Sequence, residues 1–171
     1  MKKLLPFLSL ILLLGVNVSF AEPVNVVRAS LIATNFYVQK RESLHKSTIS
    51  MGLAYECIGK NSNEHKFNGI TCFYVFNSSD SNGFVIVSGD DKITPVLGYS
   101  FNGNFDQANL PPNFREWLNS YKSEILYAIE NTDANASIAQ QWTMLEANQS
   151  LPKHKATDAV SPLLTTRMFK V

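Results

Sequence analysis

The stretch Thr71 to Ser100, TCFYVFNSSDSNGFVIVSGDDKITPVLGYS, leaves this chain little choice of fold. It holds three short runs rich in aromatic and β-branched residues: Cys72 to Phe76, Gly83 to Val87 and Val96 to Tyr99. Between them stand Asn77 to Asn82 and Gly89 to Lys92, clusters dominated by Asn, Asp, Ser and Gly, which tolerate tight turns. Short apolar runs punctuated in this way predict consecutive antiparallel strands. In the first run Phe73 and Val75 face one way and Tyr74 and Phe76 the other, because side chains alternate across a strand. Both faces are apolar, so the sheet needs cover on both sides.

Helical patterns flank this stretch. Between Val24 and Lys40 the residues Ala29, Ile32, Ala33 and Phe36 recur at i, i+3, i+4 and i+7, one face of an amphipathic helix. Met51 to Ile58 reads as a strand, followed by a polar loop from Lys60 to Asn68. After the sheet, Asn102-Gly103-Asn104 signals a turn and Phe105 to Leu110 has no periodicity, which predicts an ordered loop. Pro111-Pro112 then sets a helix start at Pro112 or Asn113, since a proline in the first turn removes an N–H that has no intrahelical partner. Phe114, Trp117, Leu118, Tyr121, Ile125, Ala128 and Ile129 hold one face for more than four turns, a stripe read as core packing against the sheet. Asn135 to Leu145 fits a further short helix around Ile138, Trp142 and Leu145, and Gln149 to Ser161 carries no pattern. The expected fold is α+β: a small antiparallel sheet of about four strands packed by an N-terminal helix and a long C-terminal helix.

The chain has 171 residues, and its first 21 read as a secretory signal. Lys2 and Lys3 give a positive start, Leu4 to Val18 an apolar run, and Ser19-Phe20-Ala21 a small-x-small site, with cleavage expected between Ala21 and Glu22. The expected location is secreted or periplasmic, with no membrane partner after cleavage. Of the 15 basic residues, Lys2 and Lys3 leave with the signal, so 13 face 14 acidic ones. That balance offers no basic patch for nucleic acid.

Only two cysteines occur, Cys57 and Cys72, each in a strand-like run with a polar loop between. Pairing the runs as a hairpin with Cys57 opposite Cys72 also sets Tyr55 against Tyr74 and Leu53 against Phe76. A disulfide between them would add on the order of 3 kcal/mol in the chain-entropy picture and suits an exported protein. The alternative, a cysteine nucleophile, needs a base from His45, His65 or His154 and a third group to orient it. The histidines are far apart and no CxxC occurs, so no metal site and no cofactor are expected. Asp90-Asp91 follows a glycine between two strands, where Asp caps a turn. Phosphate-binding loops and serine elbows are missing.

The series GFVIVSGDD (Gly83 to Asp91), PVLGYS (Pro95 to Ser100), Phe105-Asp106 and a Tyr-containing helix strongly resembles the pro-region of streptopain-type, papain-like cysteine peptidases and the stand-alone inhibitors related to it. The similarity runs from about Phe73 to Ile129 and weakly into the first helix. It implies a non-catalytic domain that occupies the cleft of such a peptidase and keeps it inactive. In the family's zymogens an Asn just before the long helix enters the active-site region, and the matching residue here is Asn113. Its amide can hydrogen-bond there without presenting a cleavable carbonyl, and a helix N-cap explains the position equally well. The inhibitory loop implied is Asp106 to Phe114, with Asp106, Leu110, Pro111, Pro112, Asn113 and Phe114 as its contact residues; Pro111-Pro112 departs from the family's loop. Val160 to Thr166 resembles the segment before the mature enzyme, beyond which the family's catalytic Cys and His lie.

The organisation expected is therefore a signal at 1–21, an inhibitor-like domain at 22–131 and a tail at 132–171 resembling the junction with an absent catalytic domain. The chain should be no enzyme but an exported, stoichiometric inhibitor of a streptopain-like cysteine peptidase. Two alternatives stand beside it: a pro-segment acting only in cis, and an envelope interaction module that kept the fold.

Overall fold

The computed structural model describes residues 23–41, 49–59 and 69–152. Four antiparallel strands, β1 (Met51–Ile58), β2 (Thr71–Ser78), β3 (Phe84–Ser88) and β4 (Val96–Ser100), form a meander in chain order. Helix α1 (Val26–Arg41) precedes them, and a 3₁₀ turn (Gln107–Asn109), α2 (Pro112–Asn131) and α3 (Ala136–Glu146) follow. The expected α+β fold is the observed one.

Both faces of the sheet are covered, as the doubly apolar β2 requires. On one face Ala29, Ile32, Ala33, Phe36 and Tyr37 of α1 meet Tyr74, Phe76, Val85 and Val87. On the other, Phe73, Val75 and Ile86 pack with Leu118 and Ile125 of α2 and with Phe105. Asn25 starts α1, its side-chain oxygen accepting the backbone N–H of Arg28 at 2.9 Å. Pro112 opens α2 at the predicted place.

The GFVIVSGDD segment is built around two close approaches. Gly83 has φ +141°, and a Cβ there would sit 2.2 Å from the Ser100 carbonyl oxygen and 2.7 Å from the Tyr37 hydroxyl. At Gly89 a Cβ would lie 2.1 Å from the carbonyl oxygen of Thr71. Neither site holds a side chain without moving backbone. Beyond Gly89 the backbone N–H of Lys92 donates to Asp90 Oδ1 at 2.9 Å, the turn cap expected of that aspartate.

The β1–β2 register departs from the simple hairpin. Leu53 faces Phe76, as expected, but Tyr55 faces Val75 and Cys57 faces Phe73; the original register returns at Ile58 and Thr71. Ala54 is the extra residue on one strand and Cys72 the extra residue on the other, two compensating β-bulges. A bulge sets two neighbouring side chains against one partner, which turns Cys72 out of strict alternation. Cys72 accordingly packs with Phe73 and Cys57 on the α2 side, while Tyr74 keeps the α1 side.

The apolar core continues beyond Asn131. Trp142 and Leu145 of α3 are buried against α1, and the indole N–H of Trp142 donates to the Ile93 carbonyl at 2.8 Å. Arg28 ties three segments together: its guanidinium lies 4.8 Å from the Trp142 ring centroid and bonds Glu146 at 2.6 Å and Asp91 at 3.1 Å.

Candidate functional site

The segment between β4 and α2 is irregular yet held at every turn. Asn77, at the end of β2, clamps it from the sheet: its amide donates to the Phe105 carbonyl and its oxygen accepts the Phe105 N–H, both at 2.9 Å. The Phe105 ring is buried, stacked on Tyr55 at 5.7 Å and edge-on to Phe84 at 6.1 Å and Phe114 at 6.4 Å. Asp106 then caps the 3₁₀ turn. Its side chain accepts from Asn109 Nδ2 at 2.7 Å and from the Ala108 N–H at 3.0 Å, and these bonds hold its carboxyl below the usual carboxylate range.

The six loop residues read from the sequence divide into two sets. Leu110 and Phe114 are half-buried and point inward onto the α2 side of the sheet, where they fix the ends of the segment. Pro111, Pro112 and Asn113 are exposed together at the start of α2, alongside exposed Asp106 to Asn109. The helix cap position is Pro111, which makes no side-chain cap bond, and Asn113 sits inside the first turn. The N-cap explanation for Asn113 therefore does not hold in this structure. The Pro111 carbonyl accepts from both Phe114 and Arg115 N–H at 3.0 Å, so the turn's geometry is set by backbone and proline rings.

Asn77 is the residue that sequence reading missed. It falls where the first apolar run gives way to the turn cluster, and its residue type does not set it apart from that cluster. An Asn that closes a strand and can serve both backbone groups of a loop is a legible possibility, but the loop it serves lies 28 residues away.

Beneath the loop a cleft of about 430 Å³ is lined by Tyr55, Cys57, Phe73, Gln107, Leu110, Arg115, Leu118 and Asn119. Cys57 and Cys72 are free thiols here, and the register expected for their disulfide is displaced by one residue because of the bulges. They are nonetheless close enough to hydrogen-bond. The Cys72 thiol donates to the Cys57 sulfur, which draws the Cys57 thiol down to about 7; burial opposes this, while Lys122 and the Tyr55 hydroxyl add to it. Cys72 is pushed up by the same bond and by burial, and its sulfur also lies 3.9 Å from the Ile70 carbonyl. Burial likewise raises the Tyr55 hydroxyl.

His45, His65 and His154, the bases a cysteine nucleophile would need, lie outside the described residues, as do Ala21, Glu22 and the Val160 to Thr166 segment. Among the described residues no group of three or more His, Cys, Asp or Glu is placed to hold a metal ion, and no helix is long and apolar enough to cross a membrane.

The doubly covered meander thus displays one fixed, proline-stiffened loop. The profile of the Spi protease inhibitor family matches residues 21–125, and the chain belongs to that family. The family is one of protease-inhibitor or propeptide domains and is not catalytic. The chain is 33% identical over 156 residues to the thiol protease/hemagglutinin PrtT of Porphyromonas gingivalis, covering 91% of this chain and 16% of that protein. It is 48% identical over 52 residues to streptopain of Streptococcus pyogenes, covering 30% of this chain and 13% of the relative. The chain thus spans less than a fifth of the length of these relatives. No solved structure matches it.

Proposed function

We propose that this protein is an exported inhibitor of a streptopain-like cysteine peptidase, which it blocks one to one with the surface from Asp106 to Phe114. The observation that carries the reading is the pinned loop, with Pro111, Pro112 and Asn113 exposed on a base fixed by Asn77, Phe105 and Asp106. Two physical properties suit it to the task. A loop already held in one geometry loses little conformational entropy on docking. Leu110–Pro111 and Pro111–Pro112 are also tertiary amides whose nitrogens carry rings, so no N–H is present there to donate to a peptidase's substrate-binding groups. The Asn113 amide adds both a donor and an acceptor for the partner's active-site groups.

The test is titration of the chain beginning at Glu22 against a streptopain-like peptidase. Activity should fall linearly to an end point near one equivalent; unchanged activity at several-fold excess overturns the proposal. Asn113→Ala should weaken inhibition without changing thermal stability, whereas a binding module that no longer engages a peptidase would be indifferent to it.

The small share of each relative that the chain spans favours a second reading, a pro-segment serving one peptidase in cis. In that case the same loop would restrain the attached enzyme and show little potency in trans. The downstream coding sequence separates the two: a peptidase domain in another frame supports the pro-segment, and a complete neighbouring peptidase gene supports the inhibitor.

A further inference from the structure

The inhibitory reading uses the outer surface of the loop and leaves its underside unexplained. There the cleft reaches Cys57, which is 5% exposed and lines it, while Cys72 is fully buried and outside the lining. An ordinary hairpin register would have set the two sulfurs directly across the ladder. The bulge at Cys72 instead holds both on the α2 side with only one reachable from solvent. The titratable and charged groups facing the pair are Tyr55 on β1 and Lys122 on α2, and Arg115 also lines the cleft.

We propose that Cys57 and Cys72 form a thiol–disulfide exchange site that opens on this cleft and takes the disulfide of a small aliphatic thiol, with Cys57 attacking and Cys72 resolving. In the first step the Cys57 thiolate bonds to one sulfur of the incoming disulfide, whose S–S bond breaks and releases one thiolate. In the second, Cys72 gives up its proton and attacks the Cys57 sulfur of the mixed disulfide. The Cys57–Cys72 bond forms, and the second small thiol leaves with a proton. The protein pair loses two electrons and two hydrogens, and the small disulfide gains them. The order of attack follows from access and from the hydrogen bond: the thiol donating to Cys57 is kept protonated until Cys57 is consumed. The same bond favours the Cys57 thiolate, drawing its ionisation below that of an ordinary thiol.

The experiment treats the folded chain from Glu22 with 2-hydroxyethyl disulfide and follows intact mass and peptide maps. Wild type should lose two hydrogens with little adduct accumulating. Cys72→Ser keeps a hydroxyl donor beside Cys57 and should trap one adduct, on Cys57. Cys57→Ser should react more slowly by roughly tenfold or more, because the remaining thiol is buried and protonated. Should either variant unfold, brief labelling of wild type with iodoacetamide replaces it, and Cys57 should then be alkylated ahead of Cys72 by a similar factor, with a rate that rises through pH 7. Equal labelling of both cysteines, first attack by Cys72, or a folded protein inert to the disulfide overturns the proposal. These readouts follow thiol chemistry alone, so they stand or fall separately from inhibition.

Discussion

Two residues show how tightly the GFVIVSGDD segment is constrained. Gly83 combines φ +141° with contacts that leave no room for a methyl group, so Gly83→Ala should cost about 3 kcal/mol or more in denaturant unfolding. A loss under about 1 kcal/mol would mean that the turn relaxes freely. Asp90 poses the opposite case. It is buried, and burial raises its carboxyl in the folded state above the unfolded value, with the Lys92 N–H opposing and the Asp91 charge adding. A raised folded-state value contributes stability that is full below the unfolded value and lost as pH rises through the folded one. Asn at this position keeps the oxygen that caps Lys92 and carries no charge. Asp90→Asn should therefore gain stability relative to wild type between acid and neutral pH, measured as the pH dependence of thermal unfolding, and a difference that does not grow with pH contradicts this.

At the scale of elements, the loop before α2 owes its shape to β2. Asn77→Ala leaves the Phe105 N–H and carbonyl without their partner and should cost about 1–3 kcal/mol. If the loop is the inhibitory surface, potency should fall further than this loss of stability explains, because the exposed residues no longer come pre-positioned. Equal potency in a folded Asn77→Ala protein would move the function elsewhere. Asp106→Asn is the milder companion, since an amide still accepts from the Ala108 N–H. The α2 stripe is scaffold at Leu118 and Ile125 and partly surface at Trp117, which stacks on Phe114 with centroids 5.5 Å apart.

For the molecule as a whole, α3 is part of the core. Leu145 is fully buried between helices, so Leu145→Ala should cost about 2–5 kcal/mol, and a chain ending at Asn131 should lose cooperative unfolding. Trp142 supports this through its bond to Ile93 and its contact with Arg28, which ties α1 and α3 to the turn after β3. A protein truncated at 131 that unfolds cooperatively at the full-length midpoint would show that α3 only decorates the sheet.

Much of this was legible in the residues because it depends on period and local chemistry. Alternation in β2 required cover on both faces, the helical spacing from Ala29 to Phe36 supplied one cover, and the Phe114 to Ile129 stripe supplied the other. Pro112 marked the start of α2, and Asp90 the turn. What the sequence leaves open depends on contacts between distant residues. The paired bulges at Ala54 and Cys72 have no local signature, since either register buries an acceptable set of side chains; the packing of Phe73 and Cys57 under α2 selects one. The clamp from Asn77 to Phe105, the seat of Trp142 and the approach of one thiol to another likewise exist only once separate segments share a core. Local physics wrote the elements of the chain, and tertiary packing alone decided where its loop and its sulfurs point.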